Sequence, residues 1–267
     1  MNQPLYIVDA FASGPFTGNP AAVCLLQQEK SAEWMQQVAA EMSLSETAFV
    51  SRFPRLGRQG WVLRWFTPTT EVNLCGHATL AAAHVLWHSA WEAEDFIEFH
   101  TRSGLLGASR QAEGITLNFP ADPPEAMAST PPAVVEALGV QPLWLGQGRE
   151  DWLAVMESAE QVRRLRPDTR QLAELPARGF IVTAPGDEPG IDMVSRFFAP
   201  RVGINEDPVT GSAHCLLAVY WAQRLGKTRL RALQASARTG LLDLRLQDDR
   251  VHLSGQAHIT LTGEFHG

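Results

Sequence analysis

The hydrophobic pattern of the chain predicts strands through most of its length and one strongly apolar helix in each half. The β-rich runs LYIVDAF and AAVCLL are separated by ASGPFTGNP, which is typical of a strand, a loop and a second strand. The segment SAEWMQQVAAEM, with Ser31 as a candidate N-cap, predicts an amphipathic helix. Residues 74–87 (LCGHATLAAAHVLW) and 207–221 (DPVTGSAHCLLAVYW) instead start with polar residues and continue as unbroken apolar runs. An apolar helix among strands is buried most simply by a sheet that wraps around it.

These two apolar segments are members of an internal repeat. Gly76-His77-Ala78 and Gly211-Ser212-Ala213 precede the two apolar runs at an offset of 135 residues. Two further pairs of segments match in the same order, at offsets of 132 and 136: residues 64–68 with 196–200, and residues 102–106 with 238–242. The repeat predicts an α+β fold of two pseudo-symmetric lobes, each a barrel-like β-sheet wrapped around its central apolar helix.

The repeat also suggests domain boundaries. We expect an N-terminal lobe over residues 1–118 and a C-terminal lobe over residues 119–267. Five prolines in FPADPPEAMASTPP predict a linker at about residues 119–133. A terminal strand that returns to the first lobe is compatible with this division.

The polar residues before each apolar run mark candidate anion sites, which we call the collars: Gly76-His77 in the first half and Gly211-Ser212 in the second. The first turn of a helix has unpaired N–H groups and a partial positive charge, and glycine allows a ligand close to them. If a pseudo-twofold axis relates the halves, both helix N-termini can face one cleft that holds a carboxylate or a developing enolate. The alternative is that both glycines merely permit tight turns before core helices.

Acid/base candidates lie near the first collar. Glu46, in MSLSETAFV, is expected at the edge of a core, where desolvation raises the pKa of a carboxylate toward neutral pH. His77 can donate, accept or shuttle a proton. Both residues have alternative, structural roles. The Glu46 carboxylate can accept hydrogen bonds from local backbone N–H groups, and the His77 ring can form a hydrogen bond with a loop.

Near the second collar, Asp207 and Ser212 flank the turn. The alternative roles are structural: Asp207 forms a turn before Pro208, and Ser212 caps the helix. Cys75 stands directly before the first collar, where a helix N-terminus can activate a thiolate. A two-base racemase would require a second thiol at the matching position, which is Thr210. We therefore interpret Cys75 as a packed or weakly acidic thiol.

Other chemistries find little support. His84 and His88 lie four residues apart, but no Cys, Asp or Glu accompanies the pair, so no metal is expected. Pyridoxal phosphate requires a lysine, and Lys30 and Lys227 both lie in loop-like sequence, so no cofactor is expected. The motifs GxGxxG, GxxxxGK[ST] and GxSxG are absent from the sequence. A net charge of −7 without a basic run excludes nucleic-acid and membrane-surface partners, and the chain is expected to be cytoplasmic with reduced cysteines.

Four motifs, in order, resemble the phenazine-biosynthesis PhzF-like family, whose fold is that of diaminopimelate epimerase. The matching segments are VDAFASGPFTGNPAAV, SLSETAFV, RWFTPTTEVNLCGHAT and EDPVTGSAH. The resemblance implies two lobes with the active site between them and a homodimer. It also implies cofactor-independent isomerisation, in which Glu46 moves a proton within a small carboxylated substrate. By the same matching, His77, Asp207 and Ser212 are polar catalytic partners, and Gly76, Gly211, Asn19 and Thr210 bind substrate.

Because fold does not fix function, two alternatives stay open. One is a cofactor-independent epimerase or racemase. The other is a protein that binds small carboxylates without turnover.

Overall fold

The computed structural model describes residues 2–52, 60–112 and 114–267 and shows a mixed α+β protein. The first part of the chain contains these elements: β1 (Gln3–Ala10), β2 (Asn19–Leu26), α1 (Ala32–Met42), β3 (Glu46–Arg52), β4 (Trp61–Phe66), β5 (Glu71–Val72), α2 (Gly76–His88), β6 (Phe96–Thr101), β7 (Gly104–Gln111) and β8 (Gly114–Pro120).

The remaining elements follow in chain order: β9 (Glu125–Ala126), α3 (Pro132–Leu138), β10 (Trp144–Gln147), β11 (Asp151–Val155), α4 (Ala159–Arg164), α5 (Thr169–Glu174), β12 (Gly179–Pro185), β13 (Met193–Ala199), β14 (Ile204–Asp207), α6 (Gly211–Leu225), β15 (Arg229–Gln234), β16 (Gly240–Gln247), β17 (Arg250–Gly255) and β18 (Ala257–Phe265). The region expected as a linker thus contains β9, which pairs with β10, and the start of α3.

The chain forms two compact units. The first comprises Met1–Asn118 with the C-terminal segment Ser254–Gly267, and the second comprises Phe119–Leu253. The C-terminal segment joins the first unit because β18 pairs antiparallel with β1 along eight residues of β1. The sequence predicts two separately folded lobes. Their identity with these two units stays a prediction.

The same order of strand pairings occurs in both units. In the first unit β1 and β2 are antiparallel, β2 and β3 parallel, β3 and β4 antiparallel, β4 and β6 parallel, and β6 and β7 antiparallel. In the second unit β10 to β13, then β15 and β16, repeat these five pairings in the same sequence. Each parallel pair needs a crossover, and helices supply it in every case: α1 and α2 in the first unit, and α4, α5 and α6 in the second.

Each apolar helix is buried within its unit. Eleven of the thirteen residues of α2 are buried, and α2 packs against β1, β2, β3, β7 and β18. The helix α6 has eleven buried residues and packs against β15 and β16. Both helices begin at their collar glycine, Gly76 and Gly211.

Each unit also contains a core cluster in which amphipathic or short helices pack on strands. In the first unit, Met35 and Val38 of α1 pack on Phe49 and Phe66. In the second unit, buried residues of α3 and α4 pack with Phe180 and Phe198. Within the described residues, no helix combines the length and apolar character needed to cross a membrane.

A pair of ionic contacts, which we call the Arg–Glu clamps, holds the strand before each collar. In the first unit, Arg64 Nε and Nη2 donate to the two carboxylate oxygens of Glu71 at 2.7 and 2.8 Å. In the second, Arg196 Nε and Nη2 donate to Glu206 at 2.7 and 2.9 Å. Both glutamates lie five residues before the collar glycine, so the clamps fix equivalent chain segments. The guanidinium also lowers the pKa of Glu71, chiefly through these hydrogen bonds.

We predict that Glu206→Gln lowers the free energy of unfolding by about 3 kcal/mol, because it leaves the buried guanidinium of Arg196 without its counter-charge. Chemical denaturation with urea measures this change. The control is Glu160→Gln, which removes the exposed ion pair of Glu160 with Arg164 and should cost less than about 1 kcal/mol. Equal losses in the two variants would contradict a structural role for the clamp.

Candidate functional site

Three polar residues of the first unit meet at the N-terminus of α2. Asn19 begins β2, Glu46 begins the neighbouring parallel strand β3, and His77 is the second residue of α2. The side chain of Asn19 donates from Nδ2 to His77 Nδ1 at 3.2 Å, and His77 Nε2 lies 3.4 Å from Glu46 Oε2. All three residues are buried. Residues predicted from two separate motifs therefore form one cluster.

Burial keeps the imidazole of this cluster neutral. Desolvation lowers the pKa of His77 from 6.5 to about 3. Because the Asn19 amide donates to Nδ1, the ring proton resides on Nε2, and that N–H faces the carboxylate of Glu46. A carboxylate beside a neutral imidazole donor, in a site shielded from water, is suited to accepting and returning a proton.

Cys75 lies at the edge of this cluster as the N-cap residue of α2. Its Sγ atom is 3.5 Å from His77 Nδ1. One ligand atom each from Glu46, Cys75 and His77 lie within 4.8 Å of one another, so these residues can hold a metal ion. Among the residues that the structure describes, His84 and His88 belong to no such group; their rings stack with centroids 6.4 Å apart.

The N-termini of α2 and α6 differ from those of α1, α4 and α5, and share with α3, which begins after Pro131, the lack of a side-chain cap. Ser31, Ser158 and Asp168 cap α1, α4 and α5 by accepting hydrogen bonds from first-turn amides. The N-cap side chains of α2 and α6, Cys75 and Thr210, accept none. The first turns of both apolar helices therefore present backbone N–H groups without a side-chain cap, as an anion site requires.

In the second unit, a hydrogen-bonded network surrounds the collar of α6. The Thr210 hydroxyl donates to the Asp207 carboxylate in a short contact. The backbone N–H of Thr210 donates to Gln234 Oε1 at 2.8 Å, and Gln234 Nε2 donates to the carbonyl oxygen of Asp207 at 2.8 Å. Because Gln234 is fully buried, it fixes the turn that carries Asp207 and Thr210.

Ser212 belongs to a different network of the same unit. Arg178 Nη2 donates to Ser212 Oγ at 3.1 Å, and Arg178 also binds Asp151 through two hydrogen bonds, the Nε contact being 2.9 Å. Since Oγ accepts from the guanidinium, the hydroxyl proton of Ser212 points elsewhere and can be donated to a ligand. The uncapped helix end favours a carboxylate here, while the charge of Arg178 is already paired with Asp151.

The matching positions of the two units carry different chemistry. Glu46 and Gly179 are the first residues of β3 and β12, which are equivalent strands. His77 corresponds to Ser212, and Cys75 to Thr210. The second unit therefore has neither a carboxylate nor a thiol at the positions equivalent to Glu46 and Cys75.

Sequence reasoning missed three residues of the second unit: Arg178, Asp151 and Gln234. None lies in a matching motif or near a collar in sequence. The repeat contained a signal for two of them only at the level of elements, because β11 and β12 correspond to β2 and β3; in register, Asp151 matches Ala21 rather than Asn19. Asp151 and Arg178 lie at or beside the first residues of β11 and β12.

Comparison with known proteins agrees with this geometry. The sequence profile of the phenazine biosynthesis-like protein family, PhzC–PhzF, matches residues 8–263. An uncharacterized isomerase from Halalkalibacterium halodurans is 48% identical over 266 residues, which cover 99% of each chain. The crystal structure of a PhzF-family phenazine biosynthesis protein from Enterococcus faecalis has 42% identity and a TM-score of 0.94, over 100% of both chains.

A more distant structure is alike in fold alone. A hydroxyproline epimerase from Agrobacterium vitis, solved with bound trans-4-hydroxy-L-proline, has 10% identity and a TM-score of 0.65, over 98% of this chain and 92% of that one. The predicted fold class is thus confirmed: the protein is an α+β protein of the diaminopimelate epimerase-like class, and its relatives include named isomerases. The chain belongs to the phenazine biosynthesis-like PhzC–PhzF family.

The collar of α6 generates a prediction about pH. His214 is fully buried, its Nδ1 lies 2.7 Å from the carbonyl oxygen of Thr210, and burial lowers its pKa from 6.5 to about 4. The unfolded chain therefore binds a proton that the folded chain excludes between these two values. The stability contribution is complete above pH 6.5 and is lost as pH falls toward 4.

We expect the wild-type free energy of unfolding to fall by about 2 kcal/mol more than that of His214→Gln between pH 7.5 and pH 5. Denaturant titrations at the two pH values provide the comparison. His88→Gln, which removes an exposed imidazole, is the control and should follow the wild type. Parallel pH profiles for wild type and His214→Gln would disprove the assignment.

Proposed function

We propose that the protein is a cofactor-independent isomerase that moves a proton within a small carboxylated substrate, cyclic or amino acid-like. The observation that carries this proposal is the buried cluster of Asn19, His77 and Glu46, in which a neutral imidazole N–H faces a carboxylate. Proton transfer next to a carboxylate needs a base and a way to accommodate developing negative charge. The first collar offers both within one unit.

In the proposed mechanism, Glu46 removes a proton from a substrate carbon and returns it to another carbon. His77 orients the Glu46 carboxylate through its Nε2–H, and Asn19 fixes the tautomer that makes this possible. The uncapped N–H groups that begin at Gly76 bind negative charge on the substrate. These steps require no electron transfer and no covalent intermediate.

The other proposed site residues belong to the second unit. Ser212, whose Oγ accepts from Arg178, donates a hydrogen bond to a carboxylate, and the amides that begin at Gly211 bind the same anion. Asp207 and Thr210 act as a hydrogen-bonded pair that orients a polar group of the substrate.

A single-base isomerase fits the sequence of the two units better than a two-base epimerase. A two-base enzyme needs a second proton-transferring group, and the positions equivalent to Glu46 and Cys75 are Gly179 and Thr210. Neither residue is a suitable base. The homodimer and the cytoplasmic location inferred from the sequence stay predictions.

The proposal is tested by solvent exchange. Candidate small cyclic and amino carboxylic acids, trans-4-hydroxy-L-proline among them, are incubated with the protein in D₂O, and deuterium incorporation at carbon is followed by NMR. The wild type should exchange a carbon-bound hydrogen of its substrate. Glu46→Gln should retain binding and lose roughly 100-fold to 10,000-fold in rate, the range typical of losing a general acid/base.

Two variants serve as controls. Glu41→Gln alters an exposed glutamate of α1 and should exchange at the wild-type rate. Cys75→Ala should lose far less activity than Glu46→Gln. An inactive Cys75→Ala with an active Glu46→Gln would replace this mechanism with thiol-based racemisation. Binding without exchange in the wild type would identify a carboxylate-binding protein instead.

A further inference from the structure

The cluster of Glu46, Cys75 and His77 combines three side chains that are not all required for proton transfer. The thiol of Cys75 has no step in the proposed mechanism, yet it lies 3.5 Å from the ring of His77. Among the described residues, Glu46, Cys75 and His77 each place one ligand atom within 4.8 Å of those of the other two. A thiolate, an imidazole and a carboxylate are the three ligand types that zinc takes from proteins.

We propose that Glu46, Cys75 and His77 form a binding site for a thiophilic divalent cation such as Zn²⁺, and that its occupation inhibits proton transfer. Inhibition rests on the proposed function, because the ion would bind the carboxylate that acts as the base. The binding itself is independent of that function.

Each of the two short contacts in the cluster is near tetrahedral spacing, but the two contacts use opposite nitrogens of the His77 ring. Two ligand atoms at zinc-binding distance stand about 3.3 to 3.6 Å apart in a tetrahedron. The observed separations are 3.4 Å from His77 Nε2 to Glu46 Oε2 and 3.5 Å from Cys75 Sγ to His77 Nδ1. One ion takes one ring nitrogen, so the third ligand must approach by about 1 Å through a side-chain rotation. Three protein ligands leave the fourth position open.

The ring of His77 must change tautomer to bind the ion. With the proton on Nε2, that atom faces the Glu46 carboxylate at 3.4 Å and has no lone pair for a cation. Binding through Nε2 therefore requires the Asn19 amide to rotate, so that its oxygen accepts from Nδ1–H. Glu46 and Cys75 both retain slight exposure, at 9% and 7%, so solvent ions have access from one side.

The two other cysteines offer matched controls. Cys24 and Cys215 are buried, and desolvation raises the pKa of each thiol to about 12. Neither belongs to a group of metal-ligating side chains within the described residues. Any cobalt signal that depends on a thiolate must therefore come from Cys75 if the proposal is correct.

The test uses Co²⁺ as a spectroscopic substitute for Zn²⁺, with the metal-free full-length protein and no substrate. We expect one equivalent of Co²⁺ to produce a near-ultraviolet band from thiolate-to-cobalt charge transfer, and excess Zn²⁺ to remove it. Metal binding should release protons, including that of the thiol. Cys75→Ser should abolish the band, whereas Cys24→Ser and Cys215→Ser should retain it.

Glu46→Gln provides a second measurement. It should weaken cobalt binding by about tenfold or more while keeping the charge-transfer band, because the thiolate stays bound. The absence of the band in the wild type, or its persistence in Cys75→Ser, would overturn the site. Because no substrate is present, this result is independent of the exchange test. Absence of the band in the wild type leaves the isomerase proposal intact, and absence of exchange leaves the metal site intact.

Discussion

The fold depends on the burial of two apolar helices. Helices such as α2 and α6, which are apolar on nearly every side, are stable in water only when strands cover them all around. Their helical amides are paired internally everywhere except in the first turn. The collars are therefore the places where these buried helices present polar groups, and the candidate site residues gather there.

The duplication supplies a common framework with unequal chemistry. Equivalent strands pair in the same order, and equivalent Arg–Glu clamps hold the segments before the collars. The residues inside this framework diverge: Glu46 against Gly179, and His77 against Ser212. The first unit thus offers an acid/base pair, whereas the second offers hydrogen-bond donors and a half-buried guanidinium, Arg178, which is paired with Asp151.

Much of this could be predicted from the sequence because its signals are local or periodic. The apolar runs identified both apolar helices, and the repeat identified their collars. The contact of Asn19 with His77 could not be predicted by spacing, since it depends on strand order and joins residues 58 apart in sequence. Arg178 and Gln234 were missed for the same reason: each reaches its collar through the parallel pairing of strands distant in the chain. Prolines near residue 120 suggested an open linker, although proline is also tolerated at the first turn of a helix such as α3.

The central claim is that one carboxylate, Glu46, both removes and returns the proton. The most direct measurement follows a substrate that carries deuterium at the carbon that loses hydrogen, during a single turnover in H₂O. A single base predicts that part of the deuterium appears at the product carbon that gains hydrogen. Product whose new hydrogen always comes from the solvent, with no transferred deuterium even at the earliest times, would contradict the account.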